Sequence, residues 1–332
     1  MPALTTAAPS LNSSSILAPI ASDMQQLNHV IRQHLASEVV LINQIAEHLI
    51  NAGGKRLRPA LLLLVANALG AHGESSHKLA AIIEFIHTAT LLHDDVVDES
   101  DLRRGRKTAN ALFGNAASVL VGDFLYSRAF QMMVEVDDAR VMQILSNATN
   151  VIAEGEVLQL LNMHDSEVDE TRYMQVICYK TAKLFEASAQ LGAILAQAPA
   201  PLEAAIIEFG QRIGTAFQLM DDWLDYAGYV GSMGKNAGCD LSEGKPTLPL
   251  IYLIEHGTAE QKALARAAIE EGGTDHAAPI LAAMQTSGAL DYALACAERE
   301  ANAAAKALHS LPSSIYKDSL LELCAYSTAR RA

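Results

Sequence analysis

The sequence predicts an all-α protein, a large helical bundle closed around an apolar interior. Three observations carry that expectation. Half of the 332 residues are hydrophobic while only 5% are aromatic, with Ala and Leu abundant. Long stretches place apolar residues at three- and four-residue steps, and alternating Val/Ile/Thr runs of the strand type are scarce. Two such stretches each carry three aspartates at i, i+1 and i+4: Asp94, Asp95 and Asp98 in HDDVVDE, and Asp221, Asp222 and Asp225 in MDDWLDY. On a helix the first and last of each trio share a face, one turn apart. No linker or change of composition divides the chain, so residues 23–332 read as one helical domain.

The composition sets bounds. A formal net charge of −14 argues against a nucleic-acid partner and gives each basic cluster a local reason to exist. Cys178, Cys239, Cys296 and Cys324 lack metal-type spacing and read as reduced thiols of a cytoplasmic protein. The apolar run 59–70 is too short to cross a bilayer. Residues 1–22, rich in Ala, Ser, Thr and Pro and without Lys or Arg, read as a mobile N-terminal tail rather than a targeting segment.

The elements follow in order. Periodicity predicts a helix over 23–50, broken by Asn51-Ala-Gly-Gly. Lys55-Arg56-Leu57-Arg58-Pro59 then precedes an apolar helix over 60–69, an arrangement suited to anions because free backbone N–H groups and side-chain charge converge. After a loop at 70–75, the stretch 82–105 reads as a long apolar helix ending in charge. His87 lies two turns before Asp94, and Arg103 and Arg104 follow the cluster. Acid at a helix C-terminus opposes the macrodipole, so these carboxylates need cations. Hard oxygen ligands suit Mg²⁺ shared with phosphate oxygens, and guanidinium groups bind phosphate bidentately.

Further helices are expected over 116–136 and 140–163, the first with Asp123 as a structural residue, the second with Glu154, Glu156 and Gln159 near one face. In 167–198, Lys180 and Thr181 interrupt an apolar face, and buried lysines call for an anion. Pro199-Ala-Pro201 is a break. The second acidic helix covers 202–226, with Gln218 on the face of Asp221. A Gly-rich loop with Lys235 runs to Lys245-Pro246-Thr247-Leu248-Pro249, which opens the next helix. Residues 259–332 read as Ala-rich packing helices that also serve an oligomer.

These motifs resemble the all-trans polyprenyl diphosphate synthases: GGKRLRP at 53–59, DDVVD with Arg103 and Arg104, Lys180-Thr181, Gln218, DDWLD and Lys235. The resemblance covers nearly everything after residue 22 and implies the isoprenoid-synthase helical fold with a central shaft. It implies that Asp94, Asp95, Asp98, Asp221, Asp222 and Asp225 hold about three Mg²⁺ ions around one diphosphate. Lys55, Arg58, His87 and Arg104 would bind isopentenyl diphosphate; Arg103, Lys180 and Lys235 the allylic diphosphate; Thr181 and Gln218 would lie beside the reacting carbons. Cys239 departs from the family, which commonly has Asp before Asp240.

Chain length would be set below Asp94, where Ala89 and Thr90 are small and leave a shaft open past Ile86 and Ile83. The match is closest to octaprenyl-type enzymes of quinone side chains, which would extend farnesyl diphosphate to octaprenyl or nonaprenyl diphosphate, deliver it to a membrane and act as homodimers. Alternatives are a geranylgeranyl-type synthase, a class I terpene cyclase, or a non-catalytic prenyl-binding subunit. A cyclase would not need GGKRLRP, and a non-catalytic subunit could shed a carboxylate cluster; neither is shed here.

Overall fold

The computed structural model describes residues 13–52, 54–103, 105–231, 238–273 and 275–329, and the described chain is almost wholly helical. The first helices are α1 (Ser13–Ile16), α2 (Ala21–Leu35), α3 (Val40–Ala52), α4 (Leu57–Ala68) and α5 (Glu74–Val97). A two-residue antiparallel ribbon follows, β1 (Leu102–Arg103) with β2 (Arg106–Lys107). Next come α6 (Ala109–Phe113), α7 (Asn115–Val136), α8 (Ala139–Asn162) and α9 (Glu170–Ile177). A π-helical turn, Cys178–Ala182, leads into α10 (Lys183–Leu195), and α11 (Ala200–Gly231) is the longest element. The chain ends in α12 (Cys239–Ser242), α13 (Leu248–His256), α14 (Ala259–Glu271), α15 (Ala277–Ser287), α16 (Ala289–Ala307) and α17 (Ile315–Ala329).

α4 is apolar on every side, and a helix of that kind is stable only when enclosed. Every residue from Pro59 to Ala68 is buried, with α5, α10 and α17 packed around it. α5 and α7 form one wall of the bundle, and α10 and α11 the other. A second apolar cluster gathers α13–α15 around Tyr226 and Leu241. A third, including Tyr173, Ile177, Leu219 and Ile251, joins it to the bundle beneath the second acidic cluster.

Four local expectations are corrected. The helix expected over 23–50 is two helices. Ala36 is extended (ψ 130°), and Asn43 exchanges hydrogen bonds with the Ser37 backbone, offering local partners that compete with the helix. The packed chain also starts before residue 23: Ile16 and Ile20, four apart, are buried in the main core. The acidic helix ends at Val97 rather than continuing to 105. There the Glu99 N–H bonds the Val96 carbonyl and the Ser100 N–H the Asp95 carbonyl, a Schellman end with Glu99 left-handed at φ 49°. The chain then reverses through the β1–β2 ribbon. Finally, the stretch 167–198 is interrupted by the π turn at Lys180 and Thr181.

Candidate active site

A cavity of about 340 Å³ is walled by Asp94 and Asp98 of the first cluster with Arg103, Lys180, Thr181, Gln218, Asp240 and Lys245; the second cluster borders it through Gln218 and Lys245, which contact Asp222. The π turn lies between the clusters and serves both. The Lys180 ammonium is 2.6 Å from Glu156 and 3.6 Å from Asp94. The neighbouring Thr181 hydroxyl donates to Gln218 Oε1 at 2.8 Å, and Gln218 Nε2 donates to Asp222 Oδ1 at 2.7 Å. π turns recur where a helix must present side chains out of its regular register. This one is held by close approach on two sides. A Cβ at Gly155 of α8 would come within 2.6 Å of the Lys180 nitrogen, and one at Gly214 of α11 within 2.7 Å of the Ala182 Cα.

The six aspartates expected to hold metal differ in burial and in their partners. Asp94 and Asp98 line the cavity. Asp95 turns inward, only 5% exposed, and its Oδ1 accepts from Arg103 Nε at 2.8 Å and Nη2 at 2.7 Å. On α11, Asp221 is exposed, whereas Asp222 is 1% exposed and accepts from Gln218 on one oxygen and the Tyr173 hydroxyl, at 2.6 Å, on the other. Asp225 accepts backbone N–H bonds from Gly238, Cys239 and Asp240, capping α12. Residue 239 therefore contributes its backbone to this contact, and the Cys side chain leaves it intact.

Burial and crowding of like charge leave their mark on the titrating groups. Burial pushes Asp98 and Glu156 upward, with Lys180 pulling both the other way. Burial also raises Asp222 and Asp225, each further raised by the charge of Asp240. Glu243 is pushed up to about 7 by burial, then by Asp98 and Asp240. Lys180 is disfavoured by burial, but Asp94 and Glu156 outweigh that and hold it above the usual lysine value. Carboxylates raised this way gain most from a bound cation.

The basic residues fall into a separate neighbourhood. Arg58 Nη1 lies 3.0 Å from His87 Nε2, and its guanidinium stacks 4.4 Å from the Phe185 ring centroid. Lys55 is exposed beside them in sequence but turned to α17, where its ammonium meets the Tyr326 hydroxyl and ring. Arg104 and Lys235 lie outside the described residues.

Residues overlooked in the sequence are Tyr173 and Lys245. Lys245 reaches Asp240 at 2.8 Å and Asp222 at 3.8 Å. Its only local sign was a lysine opening a Pro-led helix. Tyr173 had none beyond its place seven residues before Lys180 on a helix-patterned stretch. Glu156 proves to be the direct partner of Lys180 rather than a solvated residue. Asp123 pairs with His93 at 3.3 Å and borders a groove that Asp94 and Asp98 also line.

Beside the first cluster, an open groove of about 1010 Å³ runs between α5, α7 and α8, with Thr90, Tyr126, Phe130, Ile152 and Ala153 among its walls and Asp94, Asp98, Glu156 and Glu243 at its charged end. Of the four residues expected to form the shaft, Thr90 lines it. Ile83, Ile86 and Ala89 are instead closed into the main core. Ala89 is displaced by one residue, about 100°, from the open face.

The comparisons with known proteins agree with this geometry. The polyprenyl synthetase family profile matches residues 39–285. The chain belongs to that family. As a polyprenyl synthetase, it is 50% identical over 321 residues to the octaprenyl diphosphate synthase of Escherichia coli (strain K12), covering 96% of this chain and 99% of that protein. It is 47% identical to the all-trans-nonaprenyl-diphosphate synthase (geranyl-diphosphate specific) of Rhodobacter capsulatus, covering 93% and 95%. The polyprenyl synthase of Caulobacter crescentus, solved with calcium and isoprenyl diphosphate, superposes with a TM-score of 0.92 at 42% identity, covering 98% of this chain and all of that one.

The family uses a divalent metal, and the donor set here fits one. The cavity presents hard carboxylate oxygens from two helices. Among the described residues no three His, Cys, Asp or Glu side chains converge closely enough to hold an ion alone.

Proposed function

We propose that the protein is a long-chain all-trans polyprenyl diphosphate synthase that adds isopentenyl diphosphate repeatedly to an allylic primer, farnesyl diphosphate, giving octaprenyl or nonaprenyl diphosphate for quinone side chains. The observation that carries this reading is the π turn, whose adjacent Lys180 and Thr181 line one cavity, Lys180 beside Asp94 of the first cluster and Thr181 linked through Gln218 to Asp222 of the second. Mg²⁺, about three ions per site, is the proposed metal, with Asp94, Asp98 and Asp221 as protein ligands. When bound it would neutralise the diphosphate leaving group. Asp95, Asp222 and Asp225 support that set by anchoring Arg103, Gln218 and α12.

The chain's own residues do the rest. Lys180 and Arg103, the latter held by Asp95, would receive the allylic diphosphate, and Lys235 belongs to the same group. The C1–O bond of the allylic substrate breaks, leaving an allylic cation and diphosphate. The double bond of isopentenyl diphosphate, held by Lys55, Arg58, His87 and Arg104, attacks C1. A proton then leaves C2 of the isopentenyl unit to the departed diphosphate, closing the new double bond. Thr181 and Gln218 present oxygens beside C1, where positive charge develops. Holding both substrates in register supplies much of the rate, and the apolar bundle excludes water.

Each cycle pushes the chain past Thr90 toward Tyr126 and Phe130. A cyclase reading gives no use for the basic pair Arg58–His87. A homodimer is the proposed assembly. Leu120 of α7 and Val157, Leu160 and Leu161 of α8 are each more than half exposed, and this face, not the C-terminal helices, is the apolar surface that a second copy would cover. No helix among the described residues is long and apolar enough to cross a membrane, so product delivery to a membrane is proposed to occur from outside it.

The test is the purified protein with farnesyl diphosphate, labelled isopentenyl diphosphate and Mg²⁺, with products resolved by chromatography. Products of eight or nine isoprene units support the reading. Products that stop near four units would make it a geranylgeranyl-type enzyme, and cyclic hydrocarbons would overturn it.

A further inference from the structure

We infer that Tyr173, whose side chain borders the cavity, is a positioning residue for the condensation, acting through a chain of three hydrogen bonds. The chain runs from the Tyr173 hydroxyl to Asp222 (2.6 Å), from Gln218 to the other Asp222 oxygen (2.7 Å), and from the Thr181 hydroxyl to Gln218 (2.8 Å). Its directions are set by chemistry. A carboxylate only accepts, so Tyr173 must donate to it and the Gln218 NH₂ must face it. That leaves the Gln218 carbonyl oxygen pointing to the π turn, where it takes the Thr181 proton. The Thr181 oxygen thereby keeps its lone pairs toward the cavity that both residues line.

The bond to Asp222 fixes which way the Gln218 amide faces. An amide can turn over with little change of shape. Turned over, its carbonyl oxygen would face Asp222 and its NH₂ would face Thr181, presenting donors where an allylic cation requires acceptors. The first link makes that turn costly. Tyr173 and Asp222 are both buried, at 4% and 1% exposure, and without the tyrosine hydroxyl one Asp222 oxygen loses its partner. Asp222 is then drawn toward Lys245, 3.8 Å away, and its hold on Gln218 loosens. Tyr173 packs with Ile177 and Leu219 in the apolar cluster under the site, so its ring is held while its hydroxyl performs this second task.

This inference rests on the synthase reading above, and the experiment separates the two. Tyr173→Phe keeps the ring and removes the hydroxyl. The purified variant is compared with Gln218→Ala and with Tyr173→Phe/Gln218→Ala for melting temperature, kcat, and both substrate KM values. If wild type makes no polyprenyl diphosphate, the synthase reading fails. With active wild type, Tyr173→Phe should lower kcat by roughly 10- to 100-fold, with both KM values within about twofold. The double variant should be no slower than Gln218→Ala alone, because the tyrosine acts only through that amide. Thr181→Val should show the same lack of additivity with Tyr173→Phe. Fold-losses that multiply, or an unchanged kcat in a Tyr173→Phe protein that merely melts lower, would overturn the inference. Should Tyr173→Phe fold poorly, the Thr181→Val and Gln218→Ala pair with Asp222→Asn carries the same test from the other end of the chain.

Discussion

Two adjacent aspartates, Asp94 and Asp95, face opposite problems. Asp94 looks into the cavity and shares Lys180, so its charge is available to a cation. Asp95 is buried under the Arg103 guanidinium and is committed to it. Asp94→Asn should therefore lower kcat by at least about 100-fold, in the range expected when a group that stabilises developing charge is removed, while the melting temperature hardly moves. Asp95→Asn should instead lower stability by about 1–2 kcal/mol as a charged hydrogen bond is weakened. Thermal unfolding run beside steady-state kinetics separates the two. Equal loss of kcat with unchanged stability in both variants would mean that the division made here is wrong. In the sequence the pair was legible only as a unit. The DDxxD spacing announces a shared face, but which carboxylate faces inward depends on where α5 stops and how the β1–β2 ribbon returns Arg103.

At the scale of elements, terminations and irregularities decide where the chemistry sits. α5 ends with a left-handed Glu99, a conformation unfavourable for a residue with a Cβ by about 1 kcal/mol. Glu99→Gly should accordingly raise stability by up to about 1 kcal/mol, read from denaturant midpoints at an unchanged m value. Destabilisation would show that the glutamate side chain holds something more. Gly155→Ala should do the reverse. Its methyl would meet the Lys180 backbone, and the π turn can retreat only by moving Lys180 and Thr181, so both stability and kcat should fall. A variant that melts lower yet turns over at the normal rate would separate the glycine from the turn. Helix existence was readable from periodicity throughout. The break at residues 36–39 and the π turn were not, because both arise from side-chain hydrogen bonding and interhelical distance rather than from apolar spacing.

For the molecule as a whole, two consequences can be measured. Without metal, the site holds carboxylates that folding makes harder to ionise: Glu243 at about 7, and Asp98, Glu156, Asp222 and Asp225 also raised. Between their unfolded values and these raised ones, these five groups bind more protons in the folded chain than in the unfolded one and outnumber His34, which burial shifts the other way. Stability must then fall as pH rises through that window. The metal-free protein should melt a few degrees higher at pH 6 than at pH 8, and saturating Mg²⁺ should shrink the difference; a higher melting point at pH 8 would contradict the site's electrostatics. The second consequence concerns product length. Thr90 lines the open groove and Ala89 is sealed in the core, so Thr90→Trp should shorten the products, whereas Ala89→Tyr should chiefly destabilise by about 1–3 kcal/mol. Full-length product from Thr90→Trp would send the growing chain elsewhere. The small residues before Asp94 were visible in the sequence as candidates for the product path. Which of two neighbours faces the open side required the packing of α7 and α8 against α5.

The π turn has a consequence for how such a site can be lost. It amounts to one residue of surplus length in what would otherwise be a straight rod. Deleting a single residue between 178 and 182 would let the rod close up, shifting everything beyond it by about 1.5 Å and 100°. The healed helix would have better internal bonding than the present one, and Lys180 and Thr181 would no longer address the two acidic clusters together. Natural drift toward a sturdier chain and natural drift toward an inert one thus share a first step. The pair of glycines pressed against the turn, Gly155 and Gly214, leaves space that only the irregular form fills.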